Sequence, residues 1–157
     1  MRSNFYQNPV VPTLLVDGTD KVFESNINAY ESTFTSHIRV AQSIVPIFNL
    51  HLEAQATTTI GDLEVKIVAA DTVPNNTILA FVAVCQDSIP GLARTFDHVC
   101  QKLYSFRVYL SYADSLDTVI NFTHSMPVDK MTGILFIQDI NTKKVLQATK
   151  TKFTEVK

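Results

Sequence analysis

One stretch, residues 131–149, limits what this chain can fold into. Ile134, Phe136 and Gln138 alternate with Leu135 and Ile137, so the segment is apolar on both faces until its last residues. A strand of that kind belongs inside a sheet rather than at its rim. Asp139-Ile140-Asn141-Thr142 follows and supplies turn chemistry, because short polar side chains bond their own backbone and tolerate left-handed conformations. Residues 143–148 then read as the returning partner strand.

The chain upstream offers the strands such a hairpin needs. From Ile47 the apolar period is two: Phe48, Leu50 and Leu52 alternate with Asn49, His51 and Glu53. After a Thr-rich bend and Gly61-Asp62, Leu63, Val65 and Ile67 alternate with Glu64 and Lys66. Val73-Pro74-Asn75-Asn76 reads as a turn, and 77–86 as a third, mostly apolar strand. Ile89-Pro90-Gly91 breaks the pattern. Leu92, Phe96, Val99, Cys100 and Leu103 fit a short amphipathic helix or an irregular crossover. Phe106, Val108 and Leu110 predict a fourth strand, and Thr118, Ile120 and Phe122 a fifth. Met126-Pro127-Val128-Asp129 is a loop, and the polar tail from Thr151 onward is expected to fray. The spacing predicts a seven-strand antiparallel β-sandwich over residues 46–157 rather than alternating strand–helix units.

Residues 1–45 read differently. Thr13 to Val16 is a short β-type run opened by Pro12. Asp17-Gly18 is a hairpin signal and 21–23 the return. Residues 24–45 predict the one long helix. Ile27, Tyr30, Phe34, Ile38 and Ala41 make an apolar stripe at three- and four-residue steps, with Ser25 or Asn26 as cap and Pro46 as terminator. The fold class is therefore mainly β: a β-sandwich preceded by a β-hairpin and a helix.

Composition excludes several functions. The chain has 157 residues, a net charge of -2, and 13 Lys and Arg spread thinly. No basic block tracks a phosphate backbone, so no nucleic-acid partner is expected. The longest apolar run, around 78–84, is too short for a transmembrane segment. The first residues lack the apolar stretch of a signal peptide. Charged residues make up 18%, and Thr, Asn and Val are plentiful, a composition common in exported β-proteins. His37, His51, His98 and His124 share no ligand spacing. There is no Gly-x-Ser-x-Gly elbow and no phosphate-cradling glycine loop. Asp87 and Asp97 flank the crossover and read as turn or cap residues rather than as paired acids. No catalytic residue, cofactor or metal site is assigned, and no small-molecule ligand is indicated. Tyr104, Phe106, Tyr109 and Tyr112 are the one aromatic group that a carbohydrate- or peptide-binding face would use, and Phe106 is expected in the core. Cys85 and Cys100 can form a disulfide or remain free thiols; their spacing fits neither a Cys-x-x-Cys motif nor a zinc site.

Two sets of residues carry a resemblance. Val11-Pro12-Thr13-Leu14-Leu15-Val16-Asp17-Gly18, followed by a short strand and a helix, looks like the last third of a thioredoxin fold, with Pro12 in the place of its cis-proline. Phe81-Val82-Ala83-Val84-Cys85-Gln86-Asp87, Ile134-Leu135-Phe136-Ile137-Gln138-Asp139 and Val145-Leu146-Gln147-Ala148 are similar to the bacterial outer-membrane family of the Omp-twenty-eight type. That family joins a thioredoxin-like domain to an immunoglobulin-like β-sandwich. The resemblance implies an exported protein of the bacterial surface or periplasm. The chain departs from that family where a redox Cys-x-x-Cys would sit, upstream of the hairpin: no Cys precedes residue 85, so no such dithiol site is expected.

A partial thioredoxin-like unit would leave the strand of Val11, Thr13, Leu14, Leu15 and Val16 with an unpaired edge. Such edges recruit other strands. The expectation is a non-enzymatic interaction module whose residues 10–45 dock on the sandwich or pair with a second protein chain, its own copy included. The alternative is a thioredoxin-like redox or chaperone accessory protein using Cys85 and Cys100.

Overall fold

A computed structural model describes residues 14–73, 77–92 and 94–156. Among them, strands β1 (Leu14–Val16) and β2 (Asp20–Val22) form the opening hairpin. Asp17 and Gly18 both take positive φ, 49° and 74°, as the turn signal requires. One turn of 3-10 helix (Ile27–Ala29) leads into α1 (Tyr30–Gln42). Asn26 caps the entry by accepting from the Asn28 backbone N–H, and Glu24 accepts from Asn26. The helix stops three residues short of the expected end at 45. Pro46 disfavours helical backbone at Val45, and the last turn tightens, with Ser43 and Ile44 donating to carbonyls of 39–41.

The sandwich follows. Its strands are β3 (Phe48–Ala56), β4 (Ile60–Ala69), β5 (Ile78–Gln86), the short pair β6 (Ile89–Pro90) and β7 (Thr95–Phe96), β8 (Val99–Arg107), β9 (Ser115–Thr123), β10 (Met131–Asp139), β11 (Val145–Lys152) and β12 (Thr154–Glu155). One sheet runs β11-β10-β5-β8 and the other β12-β3-β4-β9. Seven long antiparallel strands make an immunoglobulin-like sandwich, as the periodicity predicts, with β10 between β5 and β11 inside its sheet. The turn after β10 hangs on Asp139, whose carboxylate accepts from the Asn141 N–H at 2.9 Å and the Thr77 hydroxyl at 2.8 Å.

Inward-facing Phe48, Leu63, Ile67, Ile78, Met131, Leu135 and Ile137 are fully buried between the sheets. Each such side chain contributes about 1.5–3 kcal/mol by leaving water. Gly133 lets the sheets approach: a Cβ there would lie 2.8 Å from Leu63 Cδ2.

Two expectations fail. Of the two alternatives for residues 92–103 the helix fails and the irregular crossover forms, with no helix among the described residues. Leu92, Phe96 and Leu103 are exposed, so their three- and four-residue spacing marks no core stripe. The segment is the small β6–β7 hairpin followed by β8. The fourth strand therefore begins at Val99 rather than near Phe106, turning Tyr104 and Phe106 inward ahead of Val108. Nor does the tail fray. Phe153 is only 7% exposed and meets Phe122 edge-on at 5.8 Å, and β12 pairs in parallel with Gln55 and Ala56 of β3. A polar tail hid one aromatic anchor.

Candidate functional site

The densest chemistry lies where β5 and β8 leave the sheet. A β-bulge shifts the register after Val84: Val84 pairs with Lys102, but Cys85 pairs with Cys100, and Gln101 is the extra residue. Without that bulge Cys85 would face Gln101. On its other side Cys85 pairs with Thr132 of β10, and Thr132 with Lys152 of β11. One row across the sheet thus reads Cys100, Cys85, Thr132, Lys152. Both thiols are free. Cys85 is 2% exposed, whereas Cys100 is open to solvent and sets its Sγ 3.3 Å from the Lys102 carbonyl. Burial first, then the neighbouring Cys100 thiol and the Asp87 charge, push the Cys85 thiol up to about 11.

Asp87 sits above this row. Its carboxylate pairs with the Lys152 ammonium, accepts from the Thr132 hydroxyl at 3.4 Å and the His98 backbone N–H at 2.8 Å, and stands 3.4 Å from His98 Nδ1. The Lys152 hydrogen bond, then the His98 N–H, hold its pKa down at about 2. Asp97 returns the favour by accepting from the Ser88 N–H at 2.8 Å. Asp87 and Asp97 thus cap opposite ends of one loop and do not act as paired acids. The loop between them carries the β6–β7 hairpin, with Leu92 and Phe96 exposed and the Arg94 guanidinium 5.0 Å from the Phe96 ring.

The second candidate is the N-terminal edge. Val11, Pro12 and Thr13 lie outside the described residues. Leu14, Leu15 and Val16 form β1, which among the described residues pairs with β2 alone. The hairpin does dock on the sandwich: the Val145 N–H donates to the Asp17 carbonyl at 2.7 Å, and Gly18 lies against the Lys143 carbonyl. Val16 and Val22 are buried under α1. The rest of the helix is poorly covered. Ile38, Ile44 and Val45 are exposed, Val45 by 82%, and line a groove of about 450 Å³ against Leu146 and Ala148 of β11. Tyr30 and Phe34 stack at 5.6 Å.

The other expected residues scatter. His37 bonds Asp20 at 2.7 Å, His51 bonds Glu53 at 2.9 Å, and His124 bonds the Met126 carbonyl at 3.2 Å. The aromatic group divides: Tyr104 and Phe106 pack toward the core, while Tyr109 and Tyr112 are exposed. Among the described residues, no group of three His, Cys, Asp or Glu side chains is placed to hold a metal, and no helix is long and apolar enough to cross a membrane. Thr132 and Lys152 were not singled out from sequence; only the strand register brings them to Cys85 and Asp87.

The arrangement defines an immunoglobulin-like sandwich that carries a docked hairpin and helix. No protein-family model and no curated protein sequence matches the chain. Among solved structures it is similar to HBP35 of Porphyromonas gingivalis, with a TM-score of 0.78 at 10% identity over 96% of this chain and 55% of that one. It is also similar to a domain of the outer membrane lipoprotein Omp28 from Porphyromonas gingivalis, with a TM-score of 0.53 at 14% identity over 73% of this chain and 93% of that one. The chain spans about half the length of HBP35. At these identities the likeness is one of fold, and it agrees with the Omp-twenty-eight resemblance in the sequence.

Proposed function

We propose that this chain is a non-enzymatic, exported interaction module of the bacterial cell surface, and that it associates with a second copy of itself through β1. On this reading residues 1–45 are a thioredoxin-like appendage and residues 46–157 the domain that carries it. The fold shared with an outer membrane lipoprotein supports the location. The observation that carries the mode of action is the unguarded edge of β1. Natural edge strands are blunted by charges, bulges or proline. Leu14, Leu15 and Val16 carry no charge, and their outer edge has no partner strand among the described residues. Antiparallel self-pairing about a two-fold axis at Leu15 sets Leu14 opposite Val16, so no like charges meet.

Light scattering across a dilution series tests this. The intact chain is expected to show a dimer mass that falls to monomer on dilution, and Leu15→Lys to remain monomeric with an unchanged β-type circular dichroism spectrum. A wild-type monomer at every concentration, or a dimer indifferent to Leu15→Lys, overturns the reading.

A further inference from the structure

We propose that Cys85 and Cys100 are a disulfide site that latches the β6–β7 hairpin loop to the sheet. Three features of the geometry carry this. The two cysteines are direct cross-strand partners, so their Cα atoms fall within the separation a disulfide spans and their side chains leave the same face. Their opposition depends on a bulge that moves Cys100 into the place Gln101 would otherwise take. Finally, the fourteen residues between them form a loop already drawn shut at its base by the reciprocal Asp87–His98 and Ser88–Asp97 bonds. The latch would therefore cost little backbone movement.

The chemistry is thiol–disulfide exchange with an external disulfide, a small-molecule or protein R–S–S–R of the oxidising envelope. Cys100 is the exposed thiol, so its thiolate attacks one sulfur of the external disulfide. A Cys100–S–S–R bond forms and RS⁻ leaves. Cys85 then loses its proton to solvent, and its thiolate attacks the Cys100 sulfur and expels the second RS⁻. Both RS⁻ take up protons, so two RSH are released, the protein is oxidised by two electrons, and the external disulfide is reduced. Buried Cys85 ionises reluctantly, so the second step is slow at neutral pH and quickens as pH rises. That marks a latch set once after export rather than a rapidly cycling dithiol catalyst. The inference stands apart from self-association at β1 and rests on the proposed function only for the exported location that supplies the oxidant.

Peptide mapping of the intact chain after incubation with glutathione disulfide is the test, with reduced protein as control. The expected product is monomer-mass protein that has lost both titratable thiols and yields a linked Cys85–Cys100 peptide. Its melting temperature should rise by about 6–12 °C, the gain for closing a loop of this length in a domain of this size. Cys100→Ser, exposed and safe for the fold, should melt as the reduced protein does and lose the rise. Thiols that stay titratable under native conditions overturn the proposal. So does a lasting glutathione adduct at Cys100, or a bridge between two Cys100 residues of different chains.

Discussion

Asp87 shows how much one side chain can organise. It is 15% exposed and is the common acceptor for β10, β11 and the loop before β8. Its ordinary pKa is 3.8 and its folded value about 2. A depressed carboxylate pKa means stabilisation that is present above the ordinary value and lost as pH falls through about 4 toward 2. Lys152 is 62% exposed, so solvent screening trims the effect. Asp87→Asn should cost about 1–2 kcal/mol at neutral pH in urea unfolding, and the gap from wild type should close near pH 2. A gap that persists there would mean that Asp87 acts by packing or turn geometry instead of charge. The sequence offered Asp87 as a turn residue, which it is. It gave no sign of Lys152, because a bond across three strands depends on register and not on spacing.

At the scale of elements, β12 and its anchor were the least legible. Residues 151–157 are mostly charged or hydroxylic, and one phenylalanine among them sets no period. Yet Phe153 fills the end of the core beside Phe122. Phe153→Ala should cost about 3–5 kcal/mol, read as a lower urea midpoint with an unchanged slope. A loss under about 1 kcal/mol would return the tail to the frayed state its composition suggests. Strands β3, β4 and β9 were legible because their apolar residues recur every second position, and β5 and β10 because they are apolar on both faces. Residues 92–103 misled because exposed Leu92, Phe96 and Leu103 fall at helical steps by coincidence. No local pattern discloses a bulge, so the sequence could offer a Cys85–Cys100 pair only as an alternative to free thiols, without the register that sets the two opposite each other.

Across the whole molecule, the sandwich and the appendage differ in how they are held. The sandwich buries its core between two four-strand sheets. The hairpin and α1 rest on the buried pair Val16 and Val22, the Asp17–Val145 hydrogen bond and a half-open groove. Segments with so few buried apolar contacts open below the global unfolding free energy. In native-state hydrogen exchange, amides of 14–42 should exchange well ahead of those in β5 and β10. Equal protection would show that the appendage belongs to the sandwich's cooperative unit and would weaken the case for a separable module. In the sequence the division rests on one sign, the change of period from helical to two beyond Pro46. That sign could not tell how firmly the parts adhere.

The parallel strand β12 also sets a timetable. It covers the outer edge of β3, yet almost the whole sandwich lies between Gln55 and Thr154 along the chain. Contacts between such distant residues form late, because the loop they close must first lose its freedom. As the polypeptide emerges from its N-terminal end, β3 has no strand on that flank until Thr154 and Glu155 have been made. The nascent chain therefore passes through a period in which its second sheet is open to foreign strands, and the docking of β12 shuts that window.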